Sequence, residues 1–110
     1  MGRFQRRLIL EERQSSSDGA GGREELWVTV AELWADIAAR GAREGFAGGQ
    51  GVSRVSHRAQ IRFIPFGDPK RPKPDQRFRE GGRVFAIIGV SEADERRGLL
   101  TCWLEEGALT

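Results

Sequence analysis

Few residues in this chain have the types and spacing that could do chemistry. His57 is its one histidine and Cys102 its one cysteine, Arg58, Gln60 and Arg62 recur at alternate positions, and glycines gather at Gly19, Gly21 and Gly22 and at Gly81 and Gly82. A cysteine beside a histidine makes a nucleophile when the thiol is exposed and activated. Cys102 instead lies in the apolar Leu99 to Leu104 stretch, where an inert buried thiol is the expectation. No Gly-x-Ser-x-Gly elbow is present, which removes the hydrolase arrangement that depends on it. Gly19 and Gly21 lack a glycine at position 24, and no Gly-Lys-Ser/Thr follows a glycine run, so both nucleotide fingerprints fail. One cysteine permits no intramolecular disulfide and leaves a zinc site without its usual ligands. The expectation is a protein that is not an enzyme, with no catalytic residues, cofactor or metal.

The arginine stripe has two readings. Arg58, Gln60 and Arg62 would project from one face of a strand, as a phosphate-tracking stripe does, with Phe63, Phe66 and Phe78 as candidate stacking platforms. Phe63 falls on the opposite, apolar face, however, and the other two lie in or beside a proline-rich stretch. A solvated or subunit-facing strand is the better account.

The elements that must position these residues follow from periodicity. Val55, His57, Ala59, Ile61 and Phe63 alternate with Ser56, Arg58, Gln60 and Arg62, predicting a strand with one wet face. Pro65, Pro69, Pro72 and Pro74 then interrupt ladder pairing. Arg6 to Glu12 reads as an opening strand and Ser15 to Gly22 as a loop. Gly81 and Gly82 suit a tight hairpin. Val84 to Val90 reads as a strand apolar on both faces, at the centre of the core, and Leu99 to Glu106 as the last strand after a charged turn.

Glu24 to Arg40 is ambiguous. Val30, Leu33, Trp34, Ile37 and Ala38 fall at helical spacing behind a Thr29-x-x-Glu32 capping box. Leu26 to Val30 is rich in β-branched and aromatic residues, and Leu33, Ala35 and Ile37 also fit period two. Gly41 to Ser53 carries five glycines, predicting a long loop with a short helical turn near 42–46. The fold class predicted is all-β, a five- to six-stranded antiparallel barrel or sandwich with long flexible loops at about 14–23 and 41–54.

At 110 residues the chain suits a single domain spanning 1–110. A charged fraction of 31% with a net charge of only +2 argues for a soluble protein and is too balanced to argue nucleic-acid affinity by itself. Arg3, Arg6 and Arg7 precede an apolar Leu8 to Leu10 too short for a secretory signal, and no run approaches a membrane span; an intracellular, reducing site and no membrane partner are expected. Basic clusters at Arg58/Arg62, Lys70/Arg71/Lys73 and Arg96/Arg97 face an acidic Glu105-Glu106 end. Patches of both signs suit docking between subunits.

In order, these segments resemble the head-tail joining, or head-closure, proteins of tailed phages, prophages and gene transfer agents. The resemblance runs from the Arg6 to Gln14 strand and the Asp18 to Arg23 loop through Leu26-Trp27-Val28 and Leu33-Trp34-Ala35-Asp36. It continues with Arg43-Glu44, Ser56-His57-Arg58, Ile61-Arg62-Phe63, Arg77-Phe78-Arg79 and Gly82 to Ile87, and ends with Asp94 to Arg97 ahead of Leu99 to Cys102. The Pro69 to Pro74 stretch departs from it, being richer in proline and charge.

What the resemblance implies is a connector β-barrel that assembles as a ring below the portal, retains packaged double-stranded DNA and offers an interface to the tail. Its partners would be its own copies, portal or adaptor proteins above and tail proteins below. It would be made in the bacterial cytoplasm and reside at the head-tail junction. It also resolves 27–38 as strand. Arg43, Glu44, Arg54, Arg58, Arg62, Arg96 and Arg97 are then the candidate interface or DNA-channel residues. The alternative is a small β-barrel nucleic-acid-binding module.

Overall fold

The computed structural model describes residues 4–17, 19, 21–47, 50–92 and 98–107. They form six strands: β1 (Arg6–Ser17), β2 (Arg23–Ala47), β3 (Gln50–Arg62), β4 (Arg77–Glu80), β5 (Arg83–Ser91) and β6 (Leu99–Glu106). All pairings are antiparallel, and the order β1-β2-β3-β6-β5-β4 closes on itself through β1 and β4 into a barrel. Closure removes the open edges that a flat sheet of this size would present.

The core has contributions from every strand: Leu8 and Leu10, Ala35, Ala59 and Ile61, Phe78, Phe85 and Ile87, and Leu100, Cys102 and Leu104. Strand order places β2 across the ring from β5, and β3 across from β4. The small Ala35 and Ala59 therefore come from strands facing those that carry Phe85 and Phe78, leaving room for two phenyl rings in a narrow interior.

β2 is strand throughout, as the resemblance implies and against the helical spacing of its apolar residues. Ladders on both sides, to β1 through Ala35 and to β3 from Ala35 onward, override a capping box whose effect is local. Exposure follows period two: Ala35 is buried, Leu33 and Ile37 half-buried, and Trp34 is 53% exposed.

Two expectations need correction. Residues 41–54 are not a long loop with a helical turn: β2 continues to Ala47, β3 begins at Gln50, and the arms pair from Gly41↔Ser56 to Ala47↔Gln50. Likewise β1 runs to Ser17, so the loop read at 14–23 shrinks to the residues between Ser17 and Arg23. The arms continue the β2-β3 ladder already set in the barrel, so weak apolar content does not signal a loop here. The second correction is β5. Phe85 and Ile87 turn inward, whereas Val84 and Ile88 are 38% and 55% exposed. A strand in a closed barrel has one interior face and no second layer to cover the other.

β2 is long enough to leave the barrel at both ends. At one end, Gly41–Ala47 and Gln50–Arg54 pair, among the described residues, only with each other, because β3 meets β6 from Val55 onward. At the other, Glu12–Ser17 and Arg23–Val28 pair, among the described residues, with each other alone, because β1 meets β4 at Ile9 to Glu11. Two ribbons therefore project from the barrel, which explains a radius of gyration of 15.7 Å against roughly 13 Å for a compact chain of this length. Register shifts at Leu10/Glu11, between Ala39 and Gly41, and between Ile87 and Gly89 add the local twist that closing a small barrel requires.

The connections are short or stiff. Glu80↔Arg83 leaves a two-residue turn, with Gly81 at φ +59° in the left-handed position that favours glycine. The four-proline stretch is a run of tight turns, closed by backbone bonds from Asp68 to Pro65, Arg71 to Asp68 and Gln76 to Lys73. Pro72 is buried within it.

Candidate assembly surfaces

The predicted alternation on β3 holds. His57, Ala59 and Ile61 are buried, while Ser56, Arg58, Gln60 and Arg62 lie on the outer wall. Next to them, β6 contributes Trp103 opposite Arg58, and β2 contributes Ala38 on the other side. The guanidinium of Arg40, at the β2 bulge, lies 5.3 Å from the Trp103 ring centre, and that of Arg62 lies 5.5 Å from Phe4. A groove of about 300 Å³ opens beside Trp103, lined by Arg40, Ser56, His57, Ile88, Leu104 and Glu105. Half-exposed tryptophan and stacked arginine are the side chains that carry most binding energy at protein interfaces.

Of the residues singled out in the sequence, Arg58 and Arg62 share this wall. Arg43 and Glu44 fall on β2 and Arg54 on β3, in the projecting ribbon, with Arg43 opposite Arg54 in the register; their side chains lie outside what is described. Arg96 and Arg97 lie outside the described residues. Within the chain, Glu106 pairs with Arg83. The phenyl platform is not assembled: Phe78 is buried in the core and Phe66, 88% exposed, sits on the proline turns.

An inward-facing ion network closes the barrel mouth below the β2-β3 ribbon. Arg6 donates to Glu80 at 2.8 Å through Nε, and Arg83 grips Glu106 with two bonds of 2.8 Å. His57 Nε2 lies 3.8 Å from Glu106, and its ring meets Phe85 edge-on at 5.1 Å. Its Nδ1 is buried without a hydrogen-bond partner among the described residues. The hydrogen bonds from Arg6 and Arg83 hold the Glu80 and Glu106 carboxyls below the usual carboxylate range, against the opposing effect of burial.

A second cluster fixes the other ribbon. Glu11, only 5% exposed, accepts from Arg77 Nε at 2.8 Å and Arg79 Nε at 3.0 Å. Burial pushes its carboxyl upward, but the two guanidinium hydrogen bonds outweigh it and the net direction is down from 4.5. The Arg77 guanidinium also lies 4.1 Å from the centre of Trp27, whose ring takes Arg13 at 5.2 Å. Trp27 is thus tied to the barrel wall.

Because the folded-state values of Glu11, Glu80 and Glu106 are lowered, their contribution is present above the unfolded carboxylate range and is lost as pH falls through and below it. Glu11→Gln removes the charge that neutralises two partly buried arginines and one of the two oxygens that accept from them, and is expected to cost about 1–3 kcal/mol at neutral pH. Urea unfolding between pH 7 and pH 3 should show that difference shrink with acidification; a variant equal to wild type at pH 7 would contradict the assignment.

Cys102 is buried in the core, as the sequence reading expects. Burial pushes the Cys102 thiol up to about 12, the opposite of activation. Alkylation of the folded protein at pH 8 should be at least about a hundredfold slower than in denaturant, and labelling at the rate of a free thiol would contradict this burial. Sequence reasoning missed Glu11, Trp27 and Arg40. The signal for Glu11 was a charged residue closing an apolar strand; for Trp27 it was arginines at cross-strand positions, visible only once the register is known.

Comparisons with known proteins fit this geometry. A family model described as phage head completion protein matches residues 1–107. A chain from the virion of a native gene transfer agent particle is 35% identical, superposes with a TM-score of 0.81, and is covered in full by, and fully covers, this chain. The solution structure of a Shigella flexneri 2a protein shares the fold, with a TM-score of 0.68 at 23% identity over 100% of this chain and 98% of that one. A search of curated protein sequences finds no match.

Proposed function

The chain belongs to the phage head completion protein family, and from that premise we propose that it is a structural connector which forms a ring below the portal, retains packaged DNA and offers the tail its attachment surface. The observation that carries this reading is its full-length correspondence, at 35% identity, to a chain of a gene transfer agent virion. The protein acts by geometry rather than turnover, as a component of a phage or phage-like particle.

The architecture suits that role. The closed barrel supplies a rigid body whose own strands are paired on both sides. The β2-β3 ribbon, about 20 Å long from Gly41 to Ala47, projects where neither β1 nor β6 supports it. A two-stranded hairpin alone is marginally stable in water, so such a ribbon gains from neighbouring copies or from DNA. With Arg43 and Arg54 on it and Arg58 on the adjoining wall, we assign this end to the channel and subunit interface.

The test is an in-frame deletion in producing cells, read by nuclease protection of packaged DNA and by the fraction of heads bearing tails. Packaging should start normally, and the DNA should then become nuclease-sensitive in tailless heads. Protected DNA in complete tailed particles would overturn the reading. If the free subunit then bound DNA with a steep salt dependence, a nucleic-acid-binding module would take its place.

A further inference from the structure

The second ribbon, Glu12–Ser17 with Arg23–Val28, has no place in the account so far. It lies at the opposite end of the barrel from the β2-β3 ribbon and is tied to the wall by Trp27, Arg77 and Glu11. It carries Glu12, Glu24 and Glu25, and its Leu26 is 50% exposed. Arg13, one of its two arginines, is engaged by the Trp27 ring and lies 3.9 Å from Glu25.

The outer wall of β3 and β6 has the complementary character. Arg40, Arg58 and Arg62 stand there with Asp36 and Glu105 among them. The groove beside Trp103 is walled by Ile88, Leu104 and the buried His57, whose Nδ1 is unpartnered among the described residues. From Leu26 to Ala38, in the row of Arg58 and Trp103, runs about 40 Å of β2 contour, so the ribbon and its match lie far apart on one subunit.

Resting on the connector reading, we propose that the β1-β2 ribbon of one copy docks on the β3/β6 wall of the next, with Leu26 seated in the Trp103 groove and Glu12, which the register puts on the same ribbon face, against Arg58 beside Trp103. The occupant is a second copy of this chain. The two surfaces differ, so the contact is heterologous and repeats in one direction, as ring closure requires. Opposite charges select the register and the apolar anchor supplies the buried contact.

The test is a charge exchange in full-length protein, read by incorporation into particles. Arg58→Glu, and separately Glu12→Arg, should each reduce incorporation at least about tenfold, and the two together should restore it. Loss in both single variants without restoration in the double variant would overturn the ribbon-to-wall contact while leaving the connector reading intact, and normal incorporation of either single variant would also overturn it. As a check that does not depend on how the charge variants fold, Leu26→Cys with Ile88→Cys places two exposed thiols at the proposed contact. Oxidised particles should then yield a ladder of disulfide-linked subunits, and monomer alone would contradict the docking.

Discussion

Phe78→Ala is expected to lower the unfolding free energy by about 3–5 kcal/mol, the cost of a large cavity in an interior that cannot collapse around it. Phe78 is fully buried on the shortest strand, β4, which closes the barrel between β1 and β5. Its ring belongs to the same core cluster as the small Ala59, which stands on the strand across the barrel. A domain of this size has roughly 5–15 kcal/mol in total, so the variant should sit near the threshold of folding and its thermal midpoint should fall by more than about 10 °C. Val84→Ala, on the outer face of the neighbouring strand, should change stability by less than about 1 kcal/mol. Calorimetry of the two variants checks the inward and outward assignment together. Similar losses in both would mean that the barrel interior is misplaced.

Reversing Arg58 and Arg62 together is expected to have the opposite profile, leaving the fold intact and removing the assembled particle. Both residues lie on the wet face of β3, and neither supplies the ion pairs that fix the barrel mouth or the β1-β2 ribbon. The thermal midpoint should stay within about 2–4 °C of wild type, since surface substitutions of this kind cost little. Like charges brought together across an interface cost several kcal/mol, which corresponds to at least a tenfold loss of tailed, DNA-retaining particles at each contact. Wild-type particle yield with an unchanged melting profile would remove this wall from the interface.

Much of the fold was legible because barrel strands obey a strict period. Val55 to Phe63 alternated without error, Gly81 and Gly82 marked their hairpin, and the apolar Leu99 to Leu104 run marked β6. Where the reading failed, the deciding quantity was not local. Glu24 to Arg40 satisfies helical and extended patterns alike, and long-range ladders on both sides of β2 decide between them. Glycine-rich arms read as a loop because their side chains offer no apolar signal, yet backbone pairing needs none. Val84 and Ile88 looked like a second buried face, and closure of a single-layer barrel left them in solvent.

The site was legible in part for the same reason. The alternation that buried His57 also put Arg58 and Arg62 on one wall. Trp103, Arg40 and Ile88 join that wall from three other strands, two of them at bulges, and no spacing rule in the sequence brings them together. Glu11 with Arg77 and Arg79 required the register between the first and fourth strands, Glu11 and Arg77 being 66 residues apart in the chain.

Cryo-electron microscopy of purified particles, reconstructed at the junction between head and tail, tests the central claim most directly. The account predicts a ring of six-stranded barrels below the portal, with one two-stranded ribbon of each copy turned toward the channel, present in every DNA-filled particle. A junction without that density, in particles that hold their DNA and carry tails, would contradict it.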